Sequence, residues 1–294
     1  MDSRIHAVFL PHTGLPRTLN TAVSMAAGAM IAFMDSDDIA HPDRLKVQIE
    51  WMHKTNVDIC GSQCEIFGSE TDALGGKDGI TRLPESHEAI VREFLFGIPM
   101  WRGAMMIKTE ICRQHPFDET LGFTDYEWPQ RLVHKYTMGN VPRPLLFARR
   151  HGNNITTLFH DAHRRDATKY HFRFFYGLFP HTPIADYIVL RHVVDQVPIA
   201  TLNELRRAGQ WLVDLARSSD EGLRRRMAKR WQETCERSAD LGQECHAVFR
   251  HFREQIDVLR TVIETDKSLC RMNAQPIEQI SRVSGLSVNE IKRI

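Results

Sequence analysis

The sequence predicts an α/β fold, a mostly parallel sheet followed by an all-helical region, and three observations carry that expectation. Short apolar runs alternate with helically spaced ones from Ile5 to Cys60, the pattern of strand–helix–strand units. No run of strand character follows His160. The composition, 42% hydrophobic and 26% charged over 294 residues, is that of a globular chain with enough apolar material for a core. Element by element, Ile5–Leu10 reads as a buried strand. Gly14 and Pro16 open a helix with Leu19, Ala22, Val23 and Ala26 on one face, proline being at home in a first turn. Met30–Met34 is the next strand, Pro42 starts a helix through Leu45, Ile49 and Met52, and Val57–Cys60 is a further strand. Beyond Gly61, Cys64–Phe67, Gly103–Ile107 and Leu145–Ala148 read as strands, and Ser86–Phe96 and Tyr126–Tyr136 as helices. Leu202–Ala216, Glu221–Ala239 and Cys245–Ile263 show helical spacing.

Charge and cysteine usage exclude several classes. The net charge is +1, so there is no global electrostatic case for nucleic-acid binding. Residues 1–150 hold 16 Lys/Arg against 19 Asp/Glu, and residues 151–294 hold 22 against 18, which suggests two units with different tasks. Six cysteines without a C-x-x-C pair read as reduced thiols rather than a disulfide scaffold or zinc site. The apolar run Ala22–Met34 has 13 residues, short of the roughly 18 that span a bilayer. These readings predict a soluble, cytoplasmic protein.

The stretch Met30-Ile-Ala-Phe-Met-Asp35-Ser-Asp37-Asp38 is the most informative. A strand delivers three carboxylates to its C-terminal edge, where open α/β sheets bind ligands. Carboxylates this close repel unless a cation lies between them, so the pattern suits Mg²⁺ or Mn²⁺ beside a diphosphate. The alternative is that these acids cap the loop and the helix near Pro42.

The run from Gly14 to Ser62 resembles the nucleotide-sugar half of family 2 inverting glycosyltransferases, which have the GT-A fold. The matching residues are Gly14, Leu15 and Asn20, then Ala26, Gly28, Ile31, Phe33, Asp35, Asp37 and Asp38, then Pro42, Arg44 and Leu45, with Val57–Ser62 following. The resemblance implies donor contacts at Arg17, Asn20 and Asp35, with Asp35 near the ribose or sugar. It implies a metal at Asp37, with Asp38 a second ligand or a loop cap. Arg17 either touches the nucleotide or solvates its helix.

Where the family carries an acidic pair at a helix start, this chain has Thr124-Asp125-Tyr126-Glu127-Trp128-Pro129. Asp125 aligns with the acid that deprotonates the acceptor hydroxyl, although an aspartate there also serves as a helix cap. Thr124 replaces the usual glutamate. Trp101, Arg102 and Glu127 fall on the implied acceptor side, and Trp101 either stacks on a sugar or is core. The segment Arg150-His151-Gly-Asn153-Asn154-Ile155-Thr156 resembles the family's closing motif, implying a diphosphate contact at Arg150 and a metal or diphosphate ligand at His151.

The resemblance covers residues 5 to about 157, so the domains expected are 1–157, GT-A-like, and 158–294, helical. Family members begin with a strand–helix–strand unit that cradles the nucleoside. This sequence starts at the strand that follows it, which implies an N-terminally truncated sheet, weak UDP binding and a tendency to form homo-oligomers. The implied function is inverting transfer of a sugar from a nucleoside-diphosphate donor, UDP above others, to a saccharide or lipid-linked hydroxyl, as in polysaccharide biosynthesis. A catalytically silent, glycosyltransferase-like binding domain is the rival within the fold. Lys169–Tyr176 and Leu223–Trp231 mix bases with aromatics, read either as a patch for the inner membrane face or as solvated helices over an aromatic core. Ile277–Ile291 has the spacing of half a helix-turn-helix, which gives the rival of another class, a DNA-binding module.

Overall fold

The computed structural model describes residues 2–68, 79–121, 124–150, 160–217 and 221–265. In chain order its elements are α1 (Leu15–Met25), β1 (Met30–Ala32), β2 (Ile39–Ala40), α2 (Arg44–Thr55), β3 (Ile59–Gly68), α3 (His87–Glu93), β4 (Met106–Lys108), α4 (Thr109–Gln114), α5 (Thr124–Val133) and β5 (Met138–Arg150), then α6 (His160–Leu178), α7 (Ile184–Asp195), α8 (Leu202–Arg217), α9 (Glu221–Arg237) and α10 (Gln243–Thr265). Single 3₁₀ turns occupy Arg102–Ala104 and Ala239–Leu241. The chain forms two compact units. One holds Met1–Glu85 and Met100–Tyr170; the other holds Ser86–Pro99 and His171–Ile294.

The first unit is the α/β part, with strand order β1-β4-β3-β5-β2. The longest ladder, β3 with β5, is parallel over ten register pairs, whereas the three short ladders β1–β4, β3–β4 and β2–β5 are antiparallel. The parallel pairing expected from the alternation therefore holds at the centre of the sheet and gives way at both flanks. The central strand is longer than the sequence suggested, because Val57–Cys60 and Cys64–Phe67 merge into β3. Register shifts at Ser62/Gln63 and Gln63/Cys64 form an irregularity of the bulge kind that breaks the side-chain alternation.

One expectation fails here. Ile5–Leu10 forms no strand, and its apolar side chains are exposed, Phe9 at 95%. A strand needs a neighbour for its backbone groups, and among the described residues no ladder includes this segment. On α2 the buried stripe is Arg44, Gln48 and Met52, while Leu45 and Ile49 are 55% and 40% exposed. The stripe faces backbone carbonyls that need donors, as described below. Leaving buried carbonyls without partners costs more than exposing two aliphatic side chains.

The apolar core of this unit gathers Met52, Cys60, Met106, Val141 and Leu145 between α2 and the sheet. Phe33, directly after β1, packs edge-on against Phe117 and Trp128, and the latter two rings stack at 4.4 Å. The buried thiols of Cys60, Cys64 and Cys112 are each pushed up to about 12 by burial, which keeps them protonated and unreactive.

The second unit is helical, as the spacing from Leu202 onward predicted. Phe174, Phe175, Leu190, Leu212, Met227 and Trp231 are among its buried side chains, so much of the two basic–aromatic stretches is core. Phe172 is 40% exposed. Among the described residues no helix is long and apolar enough to cross a membrane. Ile277–Ile291, the segment with helix-turn-helix spacing, lies outside the described residues.

His171 fixes Ser86–Pro99 within this unit. Its Nε2 lies 2.9 Å from the Leu95 carbonyl and its Nδ1 lies 3.3 Å from the Tyr187 hydroxyl. A carbonyl only accepts, so Nε2 carries the proton and Nδ1 accepts from the tyrosine. Burial, aided by the Arg191 charge, lowers the imidazole pKa to about 4. A histidine with a depressed folded pKa makes stability rise with pH between about 4 and its unfolded value near 6.5. The stability difference between wild type and His171→Gln should therefore shrink by up to roughly 3 kcal/mol from pH 7 to pH 4.5, measured by urea unfolding of both proteins.

Candidate active site

The acidic loop begins two residues after Phe33, whose N–H donates to the Met105 carbonyl at 2.9 Å. A buried polar pair on α2 sets that start. Arg44 Nη2 donates to the Phe33 carbonyl at 2.7 Å and its Nε to Gln48 Oε1 at 3.0 Å. Gln48 Nε2 donates to the carbonyls of Ala104 at 2.9 Å and Cys60 at 3.2 Å. One helix stripe thus ties the segment after β1, strand β3 and the Arg102–Ala104 turn to a common base.

Arg102 lies at the centre of the site. Its side chain is 6% exposed. Nη2 pairs with Asp35 Oδ1 at 2.6 Å and Nε with Asp125 Oδ1 at 3.1 Å. Burial works against the guanidinium charge, but Asp125 and Asp35 overcome it and raise its pKa. Charge-assisted bonds of this kind are the strong ones. The two carboxylates keep open outer faces, with Asp35 and Asp125 side chains 40% and 30% exposed. Asp125 occupies the first turn of α5, where the helix dipole favours a negative charge. Gly103 lets the loop approach, since a Cβ there would sit 3.1 Å from Asp35 Oδ2 and 3.4 Å from Asp38 Oδ2.

The end of β5 holds the loop's other side. The Arg149 N–H donates to Asp38 Oδ1 at 2.9 Å, and Arg149 Nε donates to the Asp37 carbonyl at 3.0 Å. The Arg149 guanidinium lies over Phe67, and that of Arg150 lies 5.3 Å from the centroid of the Trp101 ring. Desolvation raises the Asp38 pKa, and Asp35 and Asp37 add to the rise, against the Arg149 hydrogen bond. The three acids are therefore close enough to repel.

Other residues expected at the site have structural partners. Asn20 Nδ2 donates to the Phe117 carbonyl at 2.9 Å and its Oδ1 accepts from the Phe117 N–H at 2.8 Å, which ties α1 to the loop after α4. Arg17, exposed, lies 4.0 Å from Glu119. Glu127 is 4% exposed and ion-paired with Arg131 one turn on. His151 lies outside the described residues. Among the described residues no three His, Cys, Asp or Glu side chains gather as a metal-ligand set. Sequence reasoning missed Arg149 and the Arg44–Gln48 pair. The i, i+4, i+8 spacing of Arg44, Gln48 and Met52 was the available signal for the pair.

Residues 1–113 match the family model of glycosyl transferase family 2, the stretch from α1 through the acidic loop and the Arg102 turn to α4. On this stretch the resemblance of Gly14–Ser62 to that family stands. An uncharacterized glycosyltransferase of Haemophilus influenzae is 25% identical over 178 residues, 58% of this chain and 55% of its own length. The Escherichia coli UDP-Glc:alpha-D-GlcNAc-diphosphoundecaprenol beta-1,3-glucosyltransferase WfgD is 37% identical over 71 residues, 24% of this chain and 28% of its own. The chain thus spans about half, or less, of the curated relatives it matches. Among solved structures, residues 1–349 of S. aureus TarS in complex with UDP-GlcNAc align at TM-score 0.40 and 15% identity, over 86% of this chain and 72% of that one.

Asp38 offers a test of the loop's electrostatics. A carboxyl whose folded pKa is raised costs stability once pH exceeds the ordinary carboxylate range near 4, and that cost is absent below it. Asp38→Asn keeps an acceptor for the Arg149 N–H and removes the charge. With chelator present, it should raise Tm at pH 7 and leave it unchanged at pH 3.5 in thermal scans.

Proposed function

We propose that this chain catalyses inverting transfer of a sugar from a nucleoside-diphosphate donor, UDP above others, to a hydroxyl of a saccharide or lipid-linked acceptor. The observation that carries the proposal is the pairing of Asp35 and Asp125 on one buried guanidinium. It brings the donor-side acid, which lies within the stretch that matches the family, and a helix-start carboxylate beyond that stretch to a single open edge. The E. coli relative's name gives UDP-Glc as its donor, which supports UDP here.

Asp125 takes the proton of the acceptor hydroxyl as its oxygen attacks the anomeric carbon. The bond from that carbon to the diphosphate oxygen breaks on the opposite face, so one displacement inverts the configuration. Asp35 orients the ribose or sugar of the donor, and Arg150 offers its charge to the leaving diphosphate. Trp101, with one face under Arg150, borders the acceptor side.

Mg²⁺ or Mn²⁺ fits the acidic loop. The mutual repulsion of Asp35, Asp37 and Asp38 is what a cation relieves, and Mg²⁺ needs only one or two carboxylates besides phosphate oxygens. Asp37 and Asp38 would hold it, with His151 as a further ligand, and bound there it neutralises diphosphate charge. Association with the inner membrane face of the cytoplasm through the exposed part of the basic–aromatic helices, and a homo-oligomer, belong to the same reading.

A panel of UDP-sugars with Mg²⁺ or Mn²⁺, read by UDP release and calorimetry, tests the proposal. Release from at least one sugar is expected. Binding without release would favour the silent binding domain, and neither would overturn the nucleotide-sugar reading. Asp37→Ala should abolish metal-dependent release while shifting Tm little, a half-buried loop carboxylate adding little to folding; persistence in excess chelator would exclude a metal there. Asp125→Asn should leave UDP affinity nearly intact and lower turnover by about 10²-fold or more. Full turnover in that variant would make Asp125 a helix cap.

A further inference from the structure

The position of Arg102 differs from the acceptor-side role that the sequence implied for it. Its side chain is 6% exposed, so it presents almost no surface to a sugar. Two of its three nitrogens are engaged, Nη2 with Asp35 and Nε with Asp125. The residues it joins are 67 and 23 positions away and belong to different elements, the loop after β1 and the start of α5. Gln48 holds the same turn from below through the Ala104 carbonyl.

We propose that Arg102 is a positioning residue, a buried double ion pair that holds the donor loop at Asp35 and the carboxylate of Asp125 in one fixed arrangement. The inference rests on the reading of Asp125 as the base and adds to it the device that orients the base. Each carboxylate gives one oxygen to Arg102, and the face away from the guanidinium stays open to solvent. The geometry is specific to arginine. A planar fork serves two carboxylates at once, whereas a lysine ammonium is a point charge on a flexible stem. Breaking either pair leaves a buried charge short of a partner, which is the costly outcome for a desolvated ion.

Two measurements test this, and they fail separately. The first is a double-mutant cycle read by thermal unfolding with Arg102→Met, Asp35→Asn, Asp125→Asn and the paired variants. Each single variant should lower Tm, and the losses in each Arg102 pair should sum to clearly more than the loss in the double variant. Additive losses would overturn the proposal. If Arg102→Met does not fold, Arg102→Lys supplies the same cycle, since it keeps the charge and can meet only one carboxylate fully.

The second measurement is UDP release from UDP-glucose with Mn²⁺, or from whichever UDP-sugar turns over in the panel. Arg102→Lys should lower kcat by at least tenfold with the donor KM within about twofold, and added guanidinium should restore part of the rate of Arg102→Ala. A raised KM with unchanged kcat would mark Arg102 as a substrate-binding residue and overturn the positioning role. If the wild type neither binds nor turns over any UDP-sugar while the cycle still shows coupling, the glycosyltransferase reading fails and the double ion pair stands.

Discussion

One helical stripe donates to four backbone carbonyls. Arg44 and Gln48, one turn apart on α2, donate to the carbonyls of Phe33, Cys60, Ala104 and, at 3.4 Å, Met105. Buried carbonyls are paired in nearly all native structures because an unmade bond costs the full desolvation of the group. Here the pairing also decides geometry. Phe33 lies two residues before Asp35 and Ala104 two residues after Arg102, so the same side chains locate both halves of the site. Burial lowers the Arg44 pKa, although charges nearby, Asp38 and Asp35 included, partly restore it. A charge kept under the loop in this way gives the three aspartates a cation beneath them before any ligand arrives.

Above that base the site is a balance of close acids and encircling arginines. Asp35, Asp37 and Asp38 lie within four consecutive positions; Arg102 meets the Asp35 carboxylate, and Arg149 reaches the Asp38 carboxylate through its backbone N–H and the Asp37 backbone carbonyl through its Nε. Asp35 is met by a buried guanidinium, whereas Asp38 is met by a backbone N–H and left with a raised pKa. Two aspartates of the same loop thus have different electrostatic surroundings, one carboxylate held by a guanidinium and the other by a backbone N–H.

The sequence made much of this legible. The acidic loop and the helical periods from Leu202 onward lie where their spacing placed them, and the helix expected over Tyr126–Tyr136 lies at Thr124–Val133, two to three residues earlier, because each is a local pattern. What escaped was non-local. Arg102 is an ordinary arginine in sequence, and only the fold brings it between Asp35 and Asp125. Asn20 matched a family position, yet its amide is bonded to Phe117, 97 residues away. On α2 hydrophobicity ranks Leu45 and Ile49 above Arg44 and Gln48, yet the polar pair is buried, and no local rule records that backbone carbonyls wait on that side. Ile5–Leu10 has strand composition, but strand formation depends on a partner strand that composition does not supply.

The assignment of Ser86–Pro99 to the helical unit has a consequence for how the chain reaches its fold. Ile90, Phe94, Leu95 and Phe96 are buried in the finished protein, and Leu95 is bonded to His171, 76 positions later. During synthesis these four side chains leave the ribosome long before α7, α8 and α9 exist. At about 5–20 residues per second, the interval is on the order of ten seconds. Over that time an apolar segment has no native cover, and the loop that must close on it is long, which slows folding. The route by which the chain enters and leaves its helical unit therefore sets a window for chaperone capture or aggregation, and Ser86–Pro99 is the place where both would act.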